Sequence, residues 1–269
     1  MKETHNHTEA ENTISFDSKE TQLRRQTLLV HLRELRKVMI ISAVSIVVGF
    51  LVVFFVFCEQ LITFLTESIR AEGIEIIYTA LTESFSVQAK ASFVAGFILA
   101  APVVLWQIWS FIIPALYKKE RMMFTVLYLV AIVLFAVGVV FAYTIVFNMA
   151  VRFFLVTGEN LATPMISIAK YVDFLFSFIL PFGVIFELPI AIIVLVKAEL
   201  ITVETLKKYR KYVIFVIFIL AAVLTPPDVV SQVMLAMPLV VLYEVGIVIA
   251  RVMRVKRKKE GEKIGSASV

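Results

Sequence analysis

The chain has 269 residues, of which 60 % are hydrophobic and 17 % charged, and its mean hydropathy is +0.93. Soluble domains run at about 45–50 % apolar and about 25 % charged, so the composition excludes an ordinary soluble domain and suits one bundle of membrane-spanning helices. The net charge of +5 does not point to nucleic acid, because the basic residues lie between apolar runs rather than on one periodic stripe.

The first 22 residues carry five acids against two bases and no apolar stretch. They read as a disordered polar tail rather than a signal peptide, with His5 and His7 solvated rather than holding a metal. Arg24 and Arg25 follow without the apolar core or cleavage site of a cargo signal, so they read as a topology anchor. Leu28, Leu32 and Leu35 recur at i, i+4 and i+7, which predicts an amphipathic helix leading into the membrane. Cys58 is the lone cysteine; it excludes an internal disulfide and says nothing about compartment.

A helix needs about 20 mostly apolar residues to cross a bilayer. Six segments qualify as candidates: 38–57, 91–113, 122–147, 174–196, 212–224 and 231–250. The fifth is short, its apolar run of 213–224 rising only about 18 Å. The sixth is interrupted by Pro238 and Glu244. Twenty lysines and arginines sit at the entry to the first span, in the second-to-third and fourth-to-fifth connections and after residue 250; only Arg70, Lys90, Arg152 and Lys170 fall on the other side. That bias places both termini in the cytoplasm and requires an even number of spans. Residues 58–90 and 148–173 read as sizeable outer loops, Pro114 as the start of a cytoplasmic connection, and 225–230 (TPPDVV) as a tight outer turn. The expected organisation is a polar tail over 1–22, a six-helix domain over 23–250 and a basic cytoplasmic tail over 251–269. No internal repeat of the kind common in secondary transporters is visible.

Three acids invite a functional reading. Glu187 lies in FGVIFELPIAI, about 15 Å along a helix from Lys197, with Gly183, Val184, Ile190 and Ala191 as helical neighbours. None of these can pair with it, and an idle charge at that depth costs at least about 2.5–3.5 kcal/mol. Either it is protonated and bonds a carbonyl freed by Pro181 or Pro189, or it forms a polar patch that recognises another membrane helix. Glu34 can pair with Lys37 at i+3. Glu120 has Leu116, Tyr117, Met123 and Phe124 around it and reads either as a solvated loop residue or as a partner for a cationic ligand. Two acids on one membrane face suit two arginines, whose planar forks bond carboxylates bidentately.

HLRELRK at 31–37, APVVLWQIWSFIIPALYKKER at 101–121, FGVIFELPIAI at 182–192 and LTPPDVVSQ at 224–232 together resemble the TatC family, the multispanning subunit of the twin-arginine protein translocase. The resemblance runs from about Leu28 to Arg254. It implies six helices in a curved, concave bundle with both ends cytoplasmic and the last two helices short. It implies no enzyme and no cofactor, but a receptor in the cell membrane. The implied partners are twin-arginine signal peptides of folded cargo, single-span TatA- and TatB-type proteins, further TatC copies and the bilayer, with the proton-motive force driving transport. By motif, Glu34, Arg36, Phe111 and Glu120 fall in the signal-recognition surface. Glu187, Asp228 and Gln232 fall where partner helices dock. The family often carries a further base where this chain has Val38.

Two other classes compete. An ion-coupled solute transporter would use Glu187 as its proton carrier, but it needs several intramembrane polar groups, and only Glu187 and Glu244 qualify. An intramembrane hydrolase lacks a His, Cys or acid cluster within the spans.

Overall fold

A computed structural model of the chain describes residues 32–71, 73–116, 121–158, 164–197, 199–224 and 229–267. The expected polar tail over 1–22 lies outside them. Helix α1 spans 32–52 and runs through a π-helical stretch, Val53–Phe57, into α2 (Cys58–Ala71). Helix α3 is Glu83–Leu116. Helix α4 (Arg121–Phe141) continues through a second π-helical stretch, Ala142–Phe147, into α5 (Asn148–Gly158). Then come α6 (Ile168–Ile185), α7 (Leu188–Lys197), the short α8 (Val203–Lys208), α9 (Arg210–Leu224) and α10 (Val229–Ala267).

Among the described residues, five helical stretches are long and apolar enough to cross a membrane: Leu32–Glu67, Glu83–Phe111, Thr125–Gly158, Ile168–Lys197 and Val229–Met253. The sixth crossing is α9, whose 15 residues extend about 22 Å, short as its sequence predicts. The chain is thus an all-α membrane protein of six helices. Among the described residues the one sheet is a parallel pair, β1 (Ile76–Ile77) against β2 (Ile166–Ser167), in register Ile76 with Ile166 and Ile77 with Ser167.

Several boundaries differ from the expectation. The outer segment 58–90 is mostly helix: α2 prolongs the first span and α3 already begins at Glu83. Likewise α5 carries helix into the second expected loop as far as Gly158. Pro114 lies inside α3 and does not end it, and α10 passes unbroken through Pro238. Its apolar part, Val229–Met253, is longer than the expected 231–250, and helix continues past residue 250 into the basic segment. In each case apolar or helix-favouring sequence continues beyond the hydrophobic core of the segment, so hydropathy marks the membrane depth and not the helix end.

The bundle packs as α4 on α6, α10 on α7 and α9, and α3 on both α4 and α6. The larger core joins Val87 of α3, Phe147, the α6 residues Leu175, Phe178 and Phe182, and Leu235 and Leu239 of α10. A smaller one joins Leu105 and Trp109 of α3, Phe135 of α4 and Ile190 and Val194 of α7. Helices α1 and α3 cross where Gly49 faces Gly96. A Cβ on Gly49 would stand 2.5 Å from the Gly96 carbonyl oxygen, so backbone meets backbone at a distance only glycine allows.

Candidate functional site

The expected single span 174–196 is broken. Helix α6 ends at Ile185, Phe186 and Glu187 form a turn, and α7 begins at Leu188. Pro189 lacks the N–H that would bond the Ile185 carbonyl, so the ladder fails there. The Glu187 N–H donates instead to the Val184 carbonyl at 3.2 Å, a tightened turn, and the Glu187 carbonyl accepts from Ala191 N–H at 2.9 Å. The sequence therefore bends the helix at its one acid.

The turn is held from two sides. Gly138 of α4 abuts the Phe182 carbonyl and the Phe186 ring, and Gly246 of α10 abuts Pro189 and Ile192. Both carboxyl oxygens of Glu187 are covered by protein and have no hydrogen-bond partner among the described residues. The bond to a freed carbonyl, one of the two sequence readings, is not formed. What remains is a carboxyl group lodged in an apolar bend, and leaving such a group unsatisfied costs about 1–3 kcal/mol.

Glu244 is different. It sits on α10 and pairs with Arg210 Nε at the start of α9, so the second acid available to the transporter reading is already neutralised. The corner is fastened again by the Tyr243 hydroxyl, which donates to the Leu206 carbonyl at 2.9 Å.

The other sequence-derived site residues are distributed as follows. Glu34 and Arg36 are exposed at the head of α1, and Phe111 is half-buried near the end of α3, two residues beyond the buried Trp109. Gln232 is half-buried and donates through Nε2 to the Phe218 carbonyl at 3.1 Å, tying α10 to α9. Glu120 and Asp228 lie outside the described residues, so the Glu34–Glu120 pairing has no geometry here.

Sequence reasoning missed the cluster around Glu83. It counted Glu83 as one more loop acid, yet Glu83 is buried at the first turn of α3. Its carboxylate accepts from Thr79 N–H at 2.5 Å, Thr79 hydroxyl at 2.9 Å and Ala80 N–H at 3.2 Å. It also accepts from the Ser167 hydroxyl and, at 2.9 Å, from Ala169 N–H. Ser167 holds the N-cap position of α6 but makes no capping bond with its own side chain; Glu83 supplies that acceptor from another helix. This satisfies an orphan N–H at a helix start and places negative charge on the favourable end of its dipole. Thr79 stands four residues before Glu83, not at the three-residue spacing of a capping box, so no local pattern marked this acid. Nearby, Lys90 Nζ pairs with both Asp173 carboxylate oxygens at 2.7 and 3.0 Å, again joining α3 to α6.

The chain matches the family model described as "Sec-independent protein translocase protein (TatC)" over residues 30–238. It is 43 % identical to the Sec-independent protein translocase protein TatC of Carboxydothermus hydrogenoformans, over 86 % of this chain and 95 % of that one. It is 40 % identical to the TatC of Aquifex aeolicus, over 88 % and 99 %. A crystal structure described as that of the twin arginine translocase receptor TatC superposes with a TM-score of 0.77 at 40 % identity, covering 82 % of this chain and 98 % of that one. With the six-helix fold and the motifs above, these matches establish that the chain belongs to the TatC family of Sec-independent protein translocase proteins.

Proposed function

We propose that the chain is the receptor and scaffold of a twin-arginine translocase in the cell membrane, with both termini cytoplasmic. It binds the signal peptides of folded cargo on its cytoplasmic face through Glu34, Arg36, Phe111 and Glu120. It recruits single-span TatA- and TatB-type helices, and further TatC copies, through Glu187, Asp228 and Gln232, for transport driven by the proton-motive force. The domain runs over 23–250, between the polar tail 1–22 and the basic tail 251–269.

The observation that carries the reading is the match to translocase proteins across nearly the whole membrane region, in company with a solved relative described as a twin-arginine translocase receptor. Two features support the finer roles. Glu34 and Arg36 are exposed beside the membrane entry of α1, and the Glu187 carboxyl is unpaired at a helix bend. Such a group gains most from a partner helix bringing a hydrogen-bonding side chain.

The test is binding of a signal peptide bearing Arg-Arg, against the same peptide with Lys-Lys, to the purified full chain. Two bidentate carboxylate pairs predict a clear preference for arginine. Equal binding of both peptides, or unchanged binding by the Glu34→Ala/Glu120→Ala double variant, would refute the assigned recognition roles.

A further inference from the structure

The corner between α8 and α9 reads KKYRKY, residues 207–212. Every one of its six side chains is exposed. Arg210 is committed to Glu244, which leaves Lys207, Lys208 and Lys211 to face outward. Lys208 Nζ lies 6.0 Å from the Tyr209 ring centre and Lys211 Nζ 5.1 Å from that of Tyr212. The two rings are 6.0 Å apart. One acid, Glu204, lies in the same short stretch, against four bases.

The depth of this corner is set by its neighbours. The apolar run of α9 begins at Val213, directly after Tyr212, so the lysines stand where hydrocarbon gives way to headgroups. Tyrosines favour that level because the ring is apolar and the hydroxyl wet. The corner is also rigid. The joint at Tyr209 has non-helical backbone, and it is fastened to α10 by the Arg210–Glu244 pair and the Tyr243 hydroxyl bond. Lysines held at fixed spacing at headgroup depth, with aromatic rings beneath them, suit a phosphodiester anion.

We propose that Lys207, Lys208 and Lys211, framed by Tyr209 and Tyr212, form a binding site for the phosphate of an anionic membrane lipid. Free phosphate shares the chemistry, but the position at the foot of α9 selects the lipid, whose acyl chains lie along the exposed Phe215, Val216 and Ile219 of α9. A positive-inside bias needs only the charges and not this arrangement, which gives the site its own test. It is independent of the translocase roles assigned above.

The experiment compares lipid retention by the full chain, purified from mixed vesicles of phosphatidylglycerol and phosphatidylcholine, using native mass spectrometry. Wild type should enrich phosphatidylglycerol about tenfold over its share of the vesicle. The K207Q/K208Q/K211Q variant should fall to within about twofold of no preference, and K207R/K208R/K211R should keep it. K256Q/K258Q/K259Q, an equal loss of charge elsewhere, should also keep it. Should the triple glutamine variant fail to fold, K208Q and K211Q singly should each lower enrichment by about two- to threefold. Undiminished enrichment in the corner variants, an equal loss in the K256Q/K258Q/K259Q control, or complete displacement of the lipid by millimolar inorganic phosphate would overturn the proposal. So would a corner that binds an acidic peptide with no lipid preference.

Discussion

Glu83 and Glu187 are the same side chain in opposite circumstances. Glu83 stands at the first turn of α3 with five donors directed at it, three from the turn before α3 and two from the start of α6. Glu187 stands at a bend between α6 and α7 with none among the described residues. A carboxylate that accepts several bonds is a structural fastener, and its removal orphans the donors that met it. A carboxyl group that accepts none contributes nothing to the fold that holds it. The difference separates residues the monomer needs from residues it tolerates, and the tolerated ones point to function.

That contrast can be broken by mutation. The largest effect should follow Glu83→Ala, which orphans donors in the turn before α3 and at the start of α6. Its thermal midpoint in detergent should fall further than that of any other substitution considered, and a near-wild-type midpoint would show that the network is replaceable by water. Next is Arg210→Ala, which leaves Glu244 unpaired beside α9 and should cost about 2 kcal/mol by denaturant titration. Glu187→Leu should act in the other direction, gaining about 1 kcal/mol by removing an unsatisfied buried group, while crosslinking to a single-span partner helix is lost. A destabilised Glu187→Leu that still crosslinks would place Glu187 with Glu83 as a fastener. The smallest effect belongs to Lys90→Ala, because the Lys90–Asp173 pair is about half exposed on both sides and such pairs contribute about 0.5 kcal/mol.

The membrane architecture was legible because hydropathy reports solvent directly: six apolar segments appear in the sequence, and the short fifth one is α9. Helix ends were less legible. Cys58–Ala71 and Glu83–Lys90 continue as helix outside the apolar windows, where propensity and tertiary packing decide rather than the lipid. Glu187 could be singled out from sequence because its isolation is a local property, whereas the break beside it was not expected, Pro189 pointing only to a freed carbonyl. Glu83 could not, since its decisive partners Ser167 and Ala169 are more than eighty residues away in the chain. The Arg210–Glu244 pairing was hidden for the same reason: Glu244 stood out in its apolar segment, but only the packing of α9 on α10 brings Arg210 to it.

The long reach of the Glu83 contacts has a consequence in time. Ser167 is made 84 residues after Glu83, which at about 5–20 residues per second is a delay of about 4–17 s. Until then Glu83 has only its local donors at Thr79 and Ala80, and β1 has no β2 to pair with. The chain's early half is therefore an open clasp during biogenesis, and the arrival of the later half closes it.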